Sequence, residues 1–236
     1  MQQPTTVAED LRNALRTFPD FPKPGINFQD FTPVFAQPRL LRRIAESLAT
    51  AFDGEFDRVL AVEARGFVLG TTVAAVADRP LALARKKGKL PGPVFSAAYD
   101  LAYGTDTLEL QQDAFAPGER VLIVDDVLAS GGTLAAAAGL VAKCGAQLVG
   151  FSVVMTLAGL DGAARLAPAR VFSSFPTTPE PRTGRARRPA VSTSCGGRPT
   201  PVAAGLRTAR QGPMRVGLNG SVHGATGVAP TTARKG

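Results

Sequence analysis

The stretch VLIVDDVLASGGTLAAAAGLVAKCG, residues 121–145, narrows the choice of fold more than any other part of this chain. Val121, Leu122, Ile123 and Val124 form a short β-branched-rich run with no polar break, the pattern of a strand buried on both faces of a parallel sheet. The residues from Thr133 on favour a helix, with Gly145 placed to cap its end. Asp125, Asp126 and the small residues ASGGT are therefore expected in a strand-to-helix turn at the carboxyl end of a strand, where open α/β sheets bind ligands. The backbone N–H groups of Gly131, Gly132 and Thr133 would point at an anion there.

The rest of the first 173 residues alternates in the same way. VAEDLRNALRTF puts Val7, Leu11, Leu15 and Phe18 on one helical stripe, and PDFPKPG ends it. A second amphipathic helix is predicted over 38–52, a strand over 58–62, an apolar helix to about Ala77, and a strand over 80–84. RKKGKLPGP reads as a basic loop, and VFSAAYDLAYGTDTLELQ as two extended segments around a turn at Gly104. A strand over 147–157, a short helix near 159–166 and a last strand near 169–173 follow. Strands alternating with helices give an α/β class with an open, mostly parallel sheet and flanking helices.

The chain has 236 residues and a net charge of +8, but the charge is uneven. Ten of the 27 Lys and Arg residues, with one acid, Glu180, lie from Ser173 on, which leaves 17 basic against 18 acidic groups before it. That terminal stretch also holds eight prolines and ten glycines in 64 residues, so residues 176–236 are expected to be a disordered tail beyond a domain of residues 1–175. It reads either as a basic arm for nucleic acid or as out-of-frame translation of a GC-rich gene; its composition favours the second, and no specific nucleic acid is expected as a partner. Two cysteines, Cys144 and Cys195, cannot form a disulfide framework, and no apolar run is long enough to span a bilayer. A cytoplasmic location with no membrane partner is expected.

Three loops carry the chemistry. DDVLASGGT is not a Walker A loop, because no Lys follows its glycines. Neighbouring carboxylates at a strand end can accept hydrogen bonds from two vicinal hydroxyls while the start of the next helix holds a phosphate, an arrangement that suits a ribose 5-phosphate. EARGF (63–67) and RKKGKLP (85–91) follow strands expected beside the one carrying Asp125. Arg85, Lys86, Lys87 and Lys89 place four cations in five residues, which suits a second and more highly charged anion such as a pyrophosphate, or else a solvated surface loop.

VLIVDDVLASGGT, with FPDFPKPGINFQD, EARGF, RKKGKLPGP and YDLAYGTDTLE, resembles the type I phosphoribosyltransferases. Among them it is similar to the adenine phosphoribosyltransferase family, over about residues 7–173. The resemblance implies that family's sheet with a small N-terminal hood and a flexible lid. It also implies transfer of a 5-phosphoribosyl group from phosphoribosyl pyrophosphate to adenine, with Mg2+ escorting the pyrophosphate and a homodimer as the working form. Carried over by position, Ala129, Ser130, Gly131, Gly132 and Thr133 would hold the 5-phosphate, and Asp125 and Asp126 the ribose hydroxyls. Arg65, Arg85, Lys86 and Lys89 would face the pyrophosphate, with Arg85 reaching across the dimer. Adenine would lie between Phe28 and Val127, its edge read near Asn27 and by Arg65, with Tyr103 helping to close the lid.

One position departs from the pattern. The family reads Y-x-L-E-Y-G in the lid, and this chain reads YDLAYG, so Ala102 stands where a glutamate manages the purine proton. Such proton handling is worth about a hundred- to ten-thousand-fold. The chain is thus expected to be a slowed enzyme or, alternatively, a regulatory protein that keeps the phosphoribosyl pyrophosphate pocket.

Overall fold

The computed structural model describes residues 6–101 and 104–176. Residues 102 and 103, and the whole of the expected tail from 177, lie outside the described residues, so the readings of Ala102, Tyr103 and the tail are carried by sequence alone.

The centre is a seven-stranded sheet. In chain order its strands are β3 (Arg58–Val62), β4 (Leu81–Lys86), β5 (Val94–Leu101), β6 (Gly104–Gln111), β7 (Arg120–Leu128), β8 (Gln147–Thr156) and β9 (Arg170–Pro176). In space they run β5-β6-β4-β3-β7-β8-β9, and a separate pair, β1 (Arg16–Phe18) with β2 (Phe28–Asp30), forms the N-terminal hood. β4, β3, β7, β8 and β9 are parallel, while the β5–β6 hairpin joins β4 antiparallel. Helices α4 (Arg65–Ala77) and α5 (Gly132–Lys143) are the crossovers.

The apolar run in β7 explains this layering. Side chains alternate across a strand, and here Val121 and Ile123 enter a core under α5 with Leu134, Leu140 and Phe151. Leu122 and Val124 enter the opposite core with Leu69 and Val73 of α4 and Ile44 and Leu48 of α3 (Pro38–Thr50). A strand sandwiched between two cores needs four apolar residues in a row, which is what this sequence supplies.

Three expectations are corrected. The first helix, α1 (Val7–Ala14), begins with a Thr6–Glu9 capping box but stops at Leu15, whose backbone is extended. Arg16–Phe18 pairs instead with Phe28–Asp30, so Phe18 is exposed and off the helical stripe. The Arg16–Asp30 ion pair at 2.6 Å and the ladder outweigh helical periodicity in this short segment. Second, β7 runs through Asp125 and Asp126 to Leu128, because β8 continues to pair with it as far as Thr156; the acids sit on the strand and not in the turn. Third, β3 lies between β4 and β7, so the strand bearing the basic loop is not a neighbour of the one bearing Asp125. Two helical turns complete the elements, α2 (Thr32–Phe35) and α6 (Gly162–Arg165).

Candidate functional site

The carboxyl end of β7 opens into a cavity of about 380 Å3, lined by Val127, Ala129, Ser130, Gly131, Gly132 and Thr133, with Asp100 from β5 and Leu160 and Arg165 from the α6 turn. Gly131 is the cap of α5 and has φ +76°, a conformation that a side chain disfavours; a Cβ there would also meet Gly162 O at 2.8 Å. Gly132 leaves the cavity open, since a Cβ on it would stand 2.8 Å from the Asp100 carbonyl oxygen. No side chain caps α5, so the first N–H groups of the helix face the cavity with no helical acceptor, an arrangement that favours an anion.

Beside this cavity two acids are buried. Asp125 and Asp126 are 8 % and 6 % exposed. The Asp126 N–H donates to Asp125 Oδ1 at 2.9 Å. Burial, and then the charge of Asp126, push the Asp125 carboxyl well above the ordinary carboxylate range. Gly66 explains the form of the EARGF stretch, since a Cβ there would lie 2.7 Å from Asp125 Oδ1.

Arg65, the first residue of α4, ties the hood to these acids. Its Nη1 donates to the Gln29 carbonyl at 2.9 Å, and its guanidinium lies over the rings of Phe28 and Phe31, 5.2 and 5.5 Å from their centroids. Its Nε stands 2.7 Å from Asp126 Oδ2. That oxygen still accepts no aligned hydrogen bond: the charges touch, but the N–H does not point along the line between them. Phe28 is half-buried and packs edge-on to Phe21 at 5.3 Å, Asn27 beside it is exposed, and Val127 is half-buried.

The other expected pyrophosphate cations, Arg85, Lys86 and Lys89, lie at the end of β4 and the turn after it, outside the β7 cavity. Each of the first two meets an acid of the same chain. Arg85 Nε is 3.5 Å from Glu63 Oε2, again without an aligned hydrogen bond, while Arg85 Nη1 donates to the Lys89 carbonyl at 2.9 Å. Lys86 Nζ is 3.1 Å from Asp106 Oδ2 on the hairpin. The hydrogen bond to Asp106 raises the Lys86 ammonium, while the Thr107 N–H and then Lys86 lower Asp106. Tyr99 O–H donates to the same carboxylate at 3.3 Å. Lys89 is exposed on a turn held by the Gly88 N–H donating to Glu109 at 2.8 Å.

The structure thus gathers Ala129 to Thr133 with Val127 around one cavity, places Arg65 against Asp126 and Phe28, and holds Arg85, Lys86 and Lys89 on a separate strand end. Sequence reasoning missed Arg165, Glu63, Asp106 and Glu109. Glu63 lies inside EARGF, and Asp106 and Glu109 inside YDLAYGTDTLE, stretches already singled out, whereas Arg165 lies outside all of them.

Residues 34–174 match the model of the phosphoribosyl transferase domain family. Over 168 residues the chain is 48 % identical to the adenine phosphoribosyltransferase of Myxococcus xanthus, covering 71 % of this chain and 91 % of that one. Against the enzyme of the same name from an Arthrobacter species it is 50 % identical over 166 residues, 70 % of this chain and 90 % of the other. Among solved structures, adenine phosphoribosyltransferase from Rhodothermus marinus superposes with a TM-score of 0.68 at 45 % identity, covering 72 % of this chain and 98 % of that one. The Saccharomyces cerevisiae enzyme, solved with adenine and an imino-altritol bisphosphate, gives 0.68 at 39 % identity with the same coverage.

Proposed function

The chain belongs to the phosphoribosyl transferase family, and from that premise we propose that it is a purine-salvage enzyme moving a 5-phosphoribosyl group from phosphoribosyl pyrophosphate to N9 of adenine, giving AMP and pyrophosphate. The observation that carries this reading is the pairing of an uncapped α5 start with two buried acids beside it, which suits a sugar phosphate. The choice of adenine rests on relatives of that name at 45–50 % identity.

In this reading the backbone from Ala129 to Thr133, with the Ser130 and Thr133 hydroxyls, holds the 5-phosphate. Asp125 and Asp126 accept hydrogen bonds from the ribose hydroxyls and face the positive charge that grows on the sugar as its bond to pyrophosphate breaks. The leaving oxygen takes both electrons of that bond, and the adenine N9 lone pair forms the new one. Arg65, Arg85, Lys86 and Lys89 meet the leaving anion. Phe28 and Val127 sandwich the base, with Asn27 and Arg65 at its edge and Tyr103 covering the site. Displacement of Glu63 and Asp106 from their cations accompanies pyrophosphate binding, since the same positive charges cannot serve both partners fully.

Among the described residues no three His, Cys, Asp or Glu side chains converge as a cation cage. Mg2+ arriving with the pyrophosphate would supply charge neutralisation to the leaving group. Ala102 offers nothing to the proton that adenine loses, so turnover is slowed but not abolished. The catalytic domain spans residues 1–175 and works as a cytoplasmic homodimer; Val68 and Leu83, exposed on α4 and on an interior sheet strand, support a surface that a second copy covers. Among the described residues no helix is long and apolar enough to cross a membrane.

AMP formation by the purified full chain from adenine and phosphoribosyl pyrophosphate tests this. Turnover is expected with adenine and not with hypoxanthine, and Ala102→Glu should raise kcat by about one to three orders of magnitude. A folded protein that makes no AMP in either form would overturn the proposal.

A further inference from the structure

We propose that Arg165 is a phosphate-binding residue, its guanidinium closing over the anion that the loop 129–133 cradles. The inference rests on that reading of the loop. ASGGT contains no cation, so the loop by itself offers only N–H dipoles and two hydroxyls to a group that carries close to two negative charges at neutral pH. Arg165 lines the same cavity, with Nη1 3.7 Å from where a Cβ on Gly132 would stand, beside the first turn of α5.

Its place there follows from packing. α6 lies flat on the phosphate loop: a Cβ on Gly162 would be 2.1 Å from the Ala129 carbonyl oxygen and 2.8 Å from a Leu128 methyl. Gly162 is therefore the residue that permits the contact, and Arg165 follows three positions later, about one helical turn on. Arg58, Arg120 and Arg170 each meet a carboxylate within 2.8 Å. Among the described residues no carboxylate lies within ion-pair distance of Arg165. Asp100 lines the cavity as well, so a cation on the α6 side offsets a negative charge that would otherwise oppose the phosphate.

The test is calorimetric binding of AMP, adenosine and pyrophosphate to the full chain and to Arg165→Gln. Loss of Arg165 should weaken AMP by about five- to twentyfold, in keeping with one charge-assisted contact at a partly open site. Adenosine and pyrophosphate should bind as before, and Arg165→Lys should recover part of the AMP affinity. Unchanged AMP affinity in Arg165→Gln, or equal weakening of AMP and adenosine, would overturn the assignment, because a merely structural arginine does not distinguish the two. If the unaltered protein fails to prefer AMP over adenosine, the phosphate reading of the loop fails first, and the inference with it.

Discussion

The two ends of the central strands use the same residue types in opposite ways. At the amino end, Arg120 forks onto Asp57 with bonds of 2.9 and 2.6 Å, and its own N–H adds a third at 3.1 Å. Arg58 and Glu119 pair alongside at 2.6 Å. The Arg120 side-chain bonds, and then its N–H, hold Asp57 at a pKa of about 2. At the carboxyl end, Arg65–Asp126 and Arg85–Glu63 are close without aligned hydrogen bonds, and Asp126 Oδ2 and Arg85 Nε are both buried and unsatisfied. A buried polar atom with no partner costs the fold free energy. The amino end is complete by itself, whereas the carboxyl end is finished only when something else supplies the missing donors and acceptors.

The hardest test of this contrast is Gly132→Val. Its side chain would meet the Asp100 carbonyl and fill the cavity, so kcat/KM should fall by about a thousandfold or more, with near-native circular dichroism and pyrophosphate affinity. A bulky group that must stay out of a close backbone approach can remove most of a site's transition-state stabilisation. At the other end, Asp57→Asn should leave kcat/KM within about twofold and lower Tm, since only a structural pair is lost. Comparable losses of activity in both variants would erase the distinction between the ends.

A middle-sized effect probes the exchangeable cations. Lys86→Met should raise KM for phosphoribosyl pyrophosphate by about tenfold and leave AMP affinity alone, because one charged contact to the leaving group is gone. Asp106→Asn should do the reverse and lower KM by up to about fivefold, the scale of a partly exposed ion pair that no longer competes. An unchanged or raised KM in folded Asp106→Asn would mean that the carboxylate does not compete for Lys86.

How much of this was legible in the sequence follows the range of the interactions. β3 matches its predicted bounds, Arg58–Val62, and α4 ends at Ala77 as predicted, because both are encoded by local apolar runs. The strand-to-helix loop at 129–133 was legible for the same reason: glycines, a helix start and the preceding acids lie within nine residues. Asp106 opposite Lys86 was not, since it depends on the hairpin folding back antiparallel onto β4, and nothing local reports strand order. Arg165 was hidden in a four-residue helix whose docking depends on a Gly162 contact made 33 residues from Ala129 in the chain. The end of α1 was misread because a two-stranded hood, formed across the proline-rich turn, competes for Arg16–Phe18.

The smallest expected effect has the opposite sign from ordinary site damage. Burial and the neighbouring Asp126 raise the folded-state pKa of Asp125 above its unfolded value, so keeping this group ionised costs the fold free energy. The stabilising contribution of the protonated form is fully present below the unfolded pKa of about 3.9 and is lost as pH rises through the raised folded value. Asn at this position keeps an oxygen for the Asp126 N–H, 2.9 Å away in the parent, and never ionises. Asp125→Asn should therefore raise Tm at pH 8 by roughly 2–4 °C, and the gain should shrink toward zero as pH falls below about 4. Its affinity for phosphoribosyl pyrophosphate should drop above the raised folded pKa, where the proposed ribose contact loses a charged acceptor, and approach that of the parent below it. Differential scanning calorimetry across that range decides the matter. An equal or lower Tm for Asp125→Asn at pH 8 would show that the acid is as comfortable at the carboxyl end as Asp57 is at the amino end, and the contrast between the two would not extend to charge.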